Sequence, residues 1–149
     1  MAMKVELRQI NIFQDLSRGV LARLAMLSRK RSYPVGTLLT RPGEAVDRLY
    51  AILRGQVRVE SLDASLPEPI VLAELGPGDV VGEWGLLADG VSAERSVVVE
   101  AVQAVELPYS ALALALLPYP DVAAALRSAL SERGRSSAMT GQLQNVSNI

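Results

Sequence analysis

Arg95, Glu83, Gly85 and Ser96 are the residues whose types and spacing could do chemistry on a small ligand. They belong to Gly82-Glu83-Trp84-Gly85-Leu86-Leu87, a variable stretch, and then Glu94-Arg95-Ser96. The planar guanidinium of Arg95 can donate two parallel hydrogen bonds to an anion with paired oxygens, which a lysine ammonium cannot match. Gly85 has no Cβ, so its backbone N–H can come close to the same anion, and the amides of a helical turn opening there would complete an anion nest. Glu83, when ionised, only accepts hydrogen bonds; it suits a ligand hydroxyl and not the anion. Ser96 adds a hydroxyl that can donate or accept. The bland alternative is that Glu83 and Arg95 form a solvated ion pair on a loop, the usual fate of such charges.

The elements that must position these residues are short and β-rich. From Lys30 to Pro108 the chain reads as strands at Arg31–Tyr33, Thr37–Thr40, Arg48–Leu53, Val57–Leu62, Ile70–Leu75, Ser96–Ala101 and Ala104–Leu107. Between them stand Pro34-Val35-Gly36, Arg41-Pro42-Gly43-Glu44, Arg54-Gly55 and Gly76-Pro77-Gly78-Asp79, all turn chemistry. About eight short strands predict a β-barrel or jelly roll, mainly β with flanking helices. The segment 82–87 then breaks that pattern as a helical insertion. Leu16, Val20, Leu21, Leu24 and Leu27 behind Ser17, a good N-cap, predict a helical N-terminus over residues 1–30 of the same domain. After Pro108 the helical pattern returns, first at Ala111–Leu117. A longer helix follows, capped by Asp121 and striped by Val122, Ala125, Leu126, Ala129 and Leu130. The barrel with its C-terminal helices is assigned to 31–134, and 135–149 to a helix extension or flexible tail.

The string GEWGLLADGVSAERS resembles the phosphate-binding cassette of cyclic-nucleotide-binding domains, Gly-Glu-x-[Gly/Ala]-Leu, a variable stretch, then Arg-[Ser/Thr/Ala]. Arg41-Pro42-Gly43-Glu44, Leu49–Leu53 with Gly55 and Val57, and Gly76-x-Gly78-Asp79-x-x-Gly82 are similar to the family's barrel turns in order and spacing. The resemblance runs from about Ile12 to Arg133, and it is close to the effector domain of catabolite-activator-type regulators around GEWGLL and AERS. It implies a cyclic AMP or cyclic GMP ligand and no further cofactor. Arg95 and the Gly85 amide would take the cyclic phosphodiester, and Glu83 would accept from the ribose 2′-hydroxyl. Ser96 would meet the phosphate or a guanine amino group. Val59 and Leu72 stand where the family lines the purine, and Gly82 and Leu86 complete the cassette. Trp84 is read as core, with stacking on the base as the alternative. Trp84 replaces a commoner aliphatic residue and Val97 a common alanine, which leaves the base preference open. By the same resemblance the C-terminal helix is a lid and a homodimer seam, bringing Arg133 and Ser137, one turn apart, toward Glu83 and the base.

The whole chain narrows the function class. It has 15 Lys and Arg against 16 Asp and Glu, a net charge of -1, so no overall positive field attracts nucleic acid, and no direct nucleic-acid partner is expected. It has no His and no Cys, which removes imidazole acid–base chemistry, thiolate nucleophiles and the usual zinc ligands. A metal-dependent enzyme on a cupin-like jelly roll needs converging histidines, so the chain is not expected to be an enzyme. No apolar stretch is long enough for a bilayer and the start lacks a signal peptide's apolar region, so a cytoplasmic protein without a membrane partner is expected. The preferred reading is a cyclic-nucleotide sensor signalling through its C-terminal helix to a protein partner the sequence does not name. The alternatives are the effector half of a transcription regulator, ending too soon after its long helix to hold a helix-turn-helix, and a degenerate module that binds nothing.

Overall fold

Ser17 ends an extended entry and starts a helix: its Oγ accepts from the Val20 amide at 3.3 Å, satisfying one of the donors a helix start leaves open. The computed structural model describes residues 2–62, 65–83 and 94–131. Helices α1 (Ala2–Arg8) and α2 (Arg18–Leu27), joined through a 3-10 turn at Asn11–Phe13, precede the strands. These are β1 (Arg29–Tyr33), β2 (Leu38–Thr40), β3 (Arg48–Ser61), β4 (Ile70–Leu75), β5 (Val80–Val81) and β6 (Arg95–Pro108). Helix α3 (Tyr109–Leu116) follows β6, and a last helix, α4, is described over residues 120–131.

The strands pair antiparallel in the order β1-β6-β3-β4, with β2 on β6 and β5 on β3, in a sheet that does not close. This is the expected mainly β architecture with flanking helices, but the described residues form six strands instead of about eight. The difference has a specific cause. β3 and β6 each run 14 residues, straight through positions read from sequence as breaks. Arg54-Gly55 is no turn between strands. It is an irregularity within β3, where the register against β6 shifts between Ile52 and Val57. Gly55 sits there at φ 91°, and a Cβ added to it would overlap the Ala101 carbonyl of β6. Only glycine lets the two backbones pass so closely while twisting.

One core lies between the sheet and the helices, where Leu7, Phe13, Leu21 and Leu24 meet Leu49, Val105, Leu107, Leu116, Leu126 and Leu130. A second lies inside the curled sheet, formed by Leu39, Ile52, Val57, Val81, Val98, Val102 and Ala104. Helix α4 corrects two expectations. Its first internal bond runs from the Ala123 amide to the Tyr119 carbonyl (3.0 Å), so Tyr119 holds the cap position and Pro120, not Asp121, opens the helix. Leu126 and Leu130 are buried on its inner stripe, while Ala125 faces solvent.

The Gly76–Asp79 turn ties these parts to the site. Gly76 N donates to the Asp79 carboxylate at 3.0 Å, the Ile52 amide donates to Asp79 O and the Gly78 amide to Ile52 O, both at 2.9 Å. The Asn11 amide caps the same turn on Gly78 O at 2.9 Å. β5 therefore leaves a fixed anchor and delivers Gly82 to a set place. Gly55→Ala is expected to destabilise by about 3 kcal/mol, combining strain and overlap. Gly43→Ala, also at positive φ (81°) but with open space around it, is expected to cost about 1 kcal/mol. Urea denaturation of both variants checks the ranking, and equal losses would refute the close-crossing account.

Candidate ligand site

Gly82 is where the backbone leaves β5, and it tolerates no side chain. Its φ is 102°, and a Cβ there would lie 2.5 Å from Arg48 O and 3.4 Å from a Val46 methyl. Tyr109, the first residue of α3, donates its hydroxyl to Gly82 O, and its amide donates to Asp47 O at 2.9 Å. Arg48 is itself held. Its Nε meets Asp47 at 2.8 Å and its Nη1 meets Oε2 of the buried Glu106 at 3.2 Å, the oxygen that Arg31 Nε also approaches at 3.5 Å. The hydrogen bond from Arg48 holds the Asp47 carboxyl below its ordinary pKa.

This clamp presents Glu83, buried, at a cavity lined by Thr40, Val46, Val59, Leu75, Val81, Gly82, Glu83, Glu94 and Ser96. Ser96 and Val59 are register partners across β6 and β3, and both face it. Ser96 Oγ accepts from Thr40 Oγ1 at 2.7 Å, while the same Thr40 hydroxyl lies 3.3 Å from Glu94 O. Both hydroxyls donate and accept, so Ser96 can donate to Thr40 while Thr40 donates to Glu94 O.

Arg95 is held by a carboxylate on the neighbouring strand. Its Nη2 and Nε lie 2.8 and 3.1 Å from Oε1 of Glu60, its partner in the β3–β6 register. Alternation along a strand sends Arg95 and Glu60 to the face opposite Ser96 and Val59. Arg95 accordingly does not line the cavity. Leu72 is buried on β4 at an irregularity where Val59 pairs with Ala73 and Glu60 with Val71, and the β4 residue lining the cavity is Leu75. Trp84, Gly85, Leu86, Arg133 and Ser137 lie outside the described residues. Thr40, Glu60, Leu75 and Glu94 were not singled out from sequence. Glu94 stands beside Arg95 in the motif itself; Glu60 becomes visible only once the register between two distant strands is known.

The sequence profile described as "Cyclic nucleotide-binding domain" matches residues 30–117, from the start of the strands through α3. The chain belongs to that family. It is 34% identical over 98 residues to a cyclic nucleotide-gated potassium channel of Mesorhizobium japonicum, covering 66% of this chain and 24% of the channel. It is 27% identical over 129 residues to the CRP-like cAMP-activated global transcriptional regulator of Mycobacterium tuberculosis, covering 87% of this chain and 57% of the regulator. The chain therefore spans less than two thirds of either relative. Among solved structures, the Thermus thermophilus catabolite activator protein matches with a TM-score of 0.74 at 27% identity, over 91% of this chain and 63% of that one. Among the described residues of this cyclic nucleotide-binding domain, no helix is long and apolar enough to cross a membrane.

Tyr109→Phe removes the hydroxyl that holds the Gly82 carbonyl and is expected to cost about 1 kcal/mol. Chemical denaturation beside the parent checks it, and a midpoint unchanged from the parent would mean the clamp contributes nothing.

Proposed function

We propose that this domain is a non-catalytic sensor that binds a cyclic nucleotide monophosphate, cyclic AMP or cyclic GMP. The observation that carries the reading is the family match over residues 30–117, which contains the glycine-clamped Glu83 and the Arg95–Ser96 pair at the start of β6. In this reading Arg95 forks onto the two exocyclic phosphate oxygens beside the Gly85 amide. Glu83 accepts from the ribose 2′-hydroxyl, and Ser96 meets the phosphate or a guanine amino group. Val59 and Leu72, with Leu75, flank the base. The helix from 120 onward, with Arg133 and Ser137, covers the ligand, reports occupancy and provides a homodimer seam. The sensor acts in the cytoplasm and touches no nucleic acid directly. Its place as the effector half of a transcription regulator has support in the similarity to the mycobacterial regulator.

A second reading has two observations in its favour: Arg95 is already bonded to a carboxylate, and the cavity wall carries Glu83 and Glu94. A domain that keeps the fold and binds nothing would look the same. Thermal shift with cyclic AMP, cyclic GMP and their linear monophosphates separates the two, since a ligand at roughly 100 times its Kd adds about 2.7 kcal/mol. The parent is expected to be stabilised by at least one cyclic form. Arg95→Leu is expected to stay folded and lose about 2–5 kcal/mol of binding, and Arg95→Lys to bind markedly more weakly. No shift with either cyclic nucleotide would refute the reading, as would an Arg95→Leu variant that binds as tightly as the parent.

A further inference from the structure

We propose that Glu60 is a built-in competitor for Arg95: it holds the guanidinium off the cavity, and a cyclic nucleotide must win Arg95 from it, so Glu60 sets the affinity of the site. This rests on the reading of the site given above. Glu60 is a positioning residue; it acts on the ligand through Arg95.

Three observations carry the inference. The first is register. β3 and β6 pair without irregularity from Val57↔Val98 through Glu60↔Arg95, so the carboxylate faces the guanidinium directly across the ladder. The second is contact geometry. Nε and Nη2 both converge on a single oxygen, Oε1, so one of the edges through which the guanidinium can donate a parallel pair of bonds is already taken. The third is the charge on the other face of the same strands. One residue along, Val59 and Ser96 line the cavity together with the buried Glu83 and Glu94, and among the described lining residues there is no Lys or Arg. Once Arg95 turns to the cavity, it adds a cation to the described wall.

The degree of shelter makes the exchange costly but feasible. The Glu60 side chain is 10% exposed and that of Arg95 31%. An ion pair open to water contributes little, and one fully enclosed is strongly destabilising to break; this pair lies between the two. When Arg95 leaves, the charge of Glu60 is stranded in a poorly solvated place.

The test is calorimetric titration of cyclic AMP and cyclic GMP into the parent, Glu60→Gln, Glu60→Asp and Glu74→Gln. Glu74 is the exposed partner of Arg58 at 3.6 Å and serves as a control for general loss of negative charge. Glutamine keeps the shape of Glu60 and removes its charge, so Glu60→Gln is expected to bind about tenfold more tightly, or 1.4 kcal/mol. Glu60→Asp, one methylene shorter, should fall between that variant and the parent, and Glu74→Gln should match the parent. Thermal melts of each variant confirm that a folded protein is titrated. Binding by Glu60→Gln where the parent shows none would support the inference in its strongest form. Parent-like or weaker binding by Glu60→Gln would overturn the inference and leave the cyclic-nucleotide reading standing. Equal tightening by Glu74→Gln would overturn it too, as a bulk charge effect. No binding by either the parent or Glu60→Gln would overturn both the reading and the inference.

Discussion

The pairing of β3 with β6 decides where the other functional side chains can point. The two 14-residue strands carry both ends of the molecule on one ladder: Leu49 opposite Leu107 and Ala51 opposite Val105 at the helical core, Val59 opposite Ser96 and Glu60 opposite Arg95 at the site. Side chains alternate with period two, so a slip of one residue would move Ser96 and Val59 out of the cavity and Arg95 into it. The helix-facing core forbids the slip, because it would also expose Leu49 and Leu107, which are fully buried. Among the described residues, Gly55 and Gly82 are places where a Cβ would run into backbone, one against Ala101 and one against Arg48.

Charge is distributed unevenly along that ladder. Glu60, Glu83, Glu94 and Glu106 are all buried. Burying a carboxylate costs several kcal/mol unless it is paired or hydrogen-bonded, so each must be matched locally. Glu106 is matched by Arg48 and Arg31, and those contacts brace the carbonyl that Gly82 packs against. Glu60 is matched by Arg95. The same guanidinium therefore has a structural duty in the empty domain and, in the proposed function, a ligand-binding duty in the occupied one. Such a shared group makes occupancy depend on the difference between two partners for Arg95 and not on the ligand contact alone.

Local features were legible in the sequence. Ser17 caps α2 as its type demands, the Gly76–Asp79 turn forms with its aspartate bonded back to the first glycine, and the helix–strand–helix order follows from periodicity. Most of what went unread was non-local. Arg54-Gly55 has turn composition, yet pairing with β6 on both sides carries β3 through it. Asp121 is a good cap by type, but Pro120 can occupy the first helical position and so moves the cap to Tyr119. Glu60 looked like an ordinary strand residue because its meaning comes from Arg95, far along the chain and adjacent only in register. The cassette string named Glu83, Arg95 and Ser96 together; it carried no information that alternation would set Arg95 on one face and Ser96 on the other.

The central claim, that Arg95 exchanges Glu60 for a ligand phosphate, is tested most directly by nuclear magnetic resonance of the Arg95 Nε–H and the Glu60 carboxyl carbon during titration with cyclic AMP or cyclic GMP. The account predicts that both signals shift together and saturate at the ligand concentration that saturates the amides around Gly82. Saturation at Gly82 with the Arg95 and Glu60 signals unmoved would contradict it.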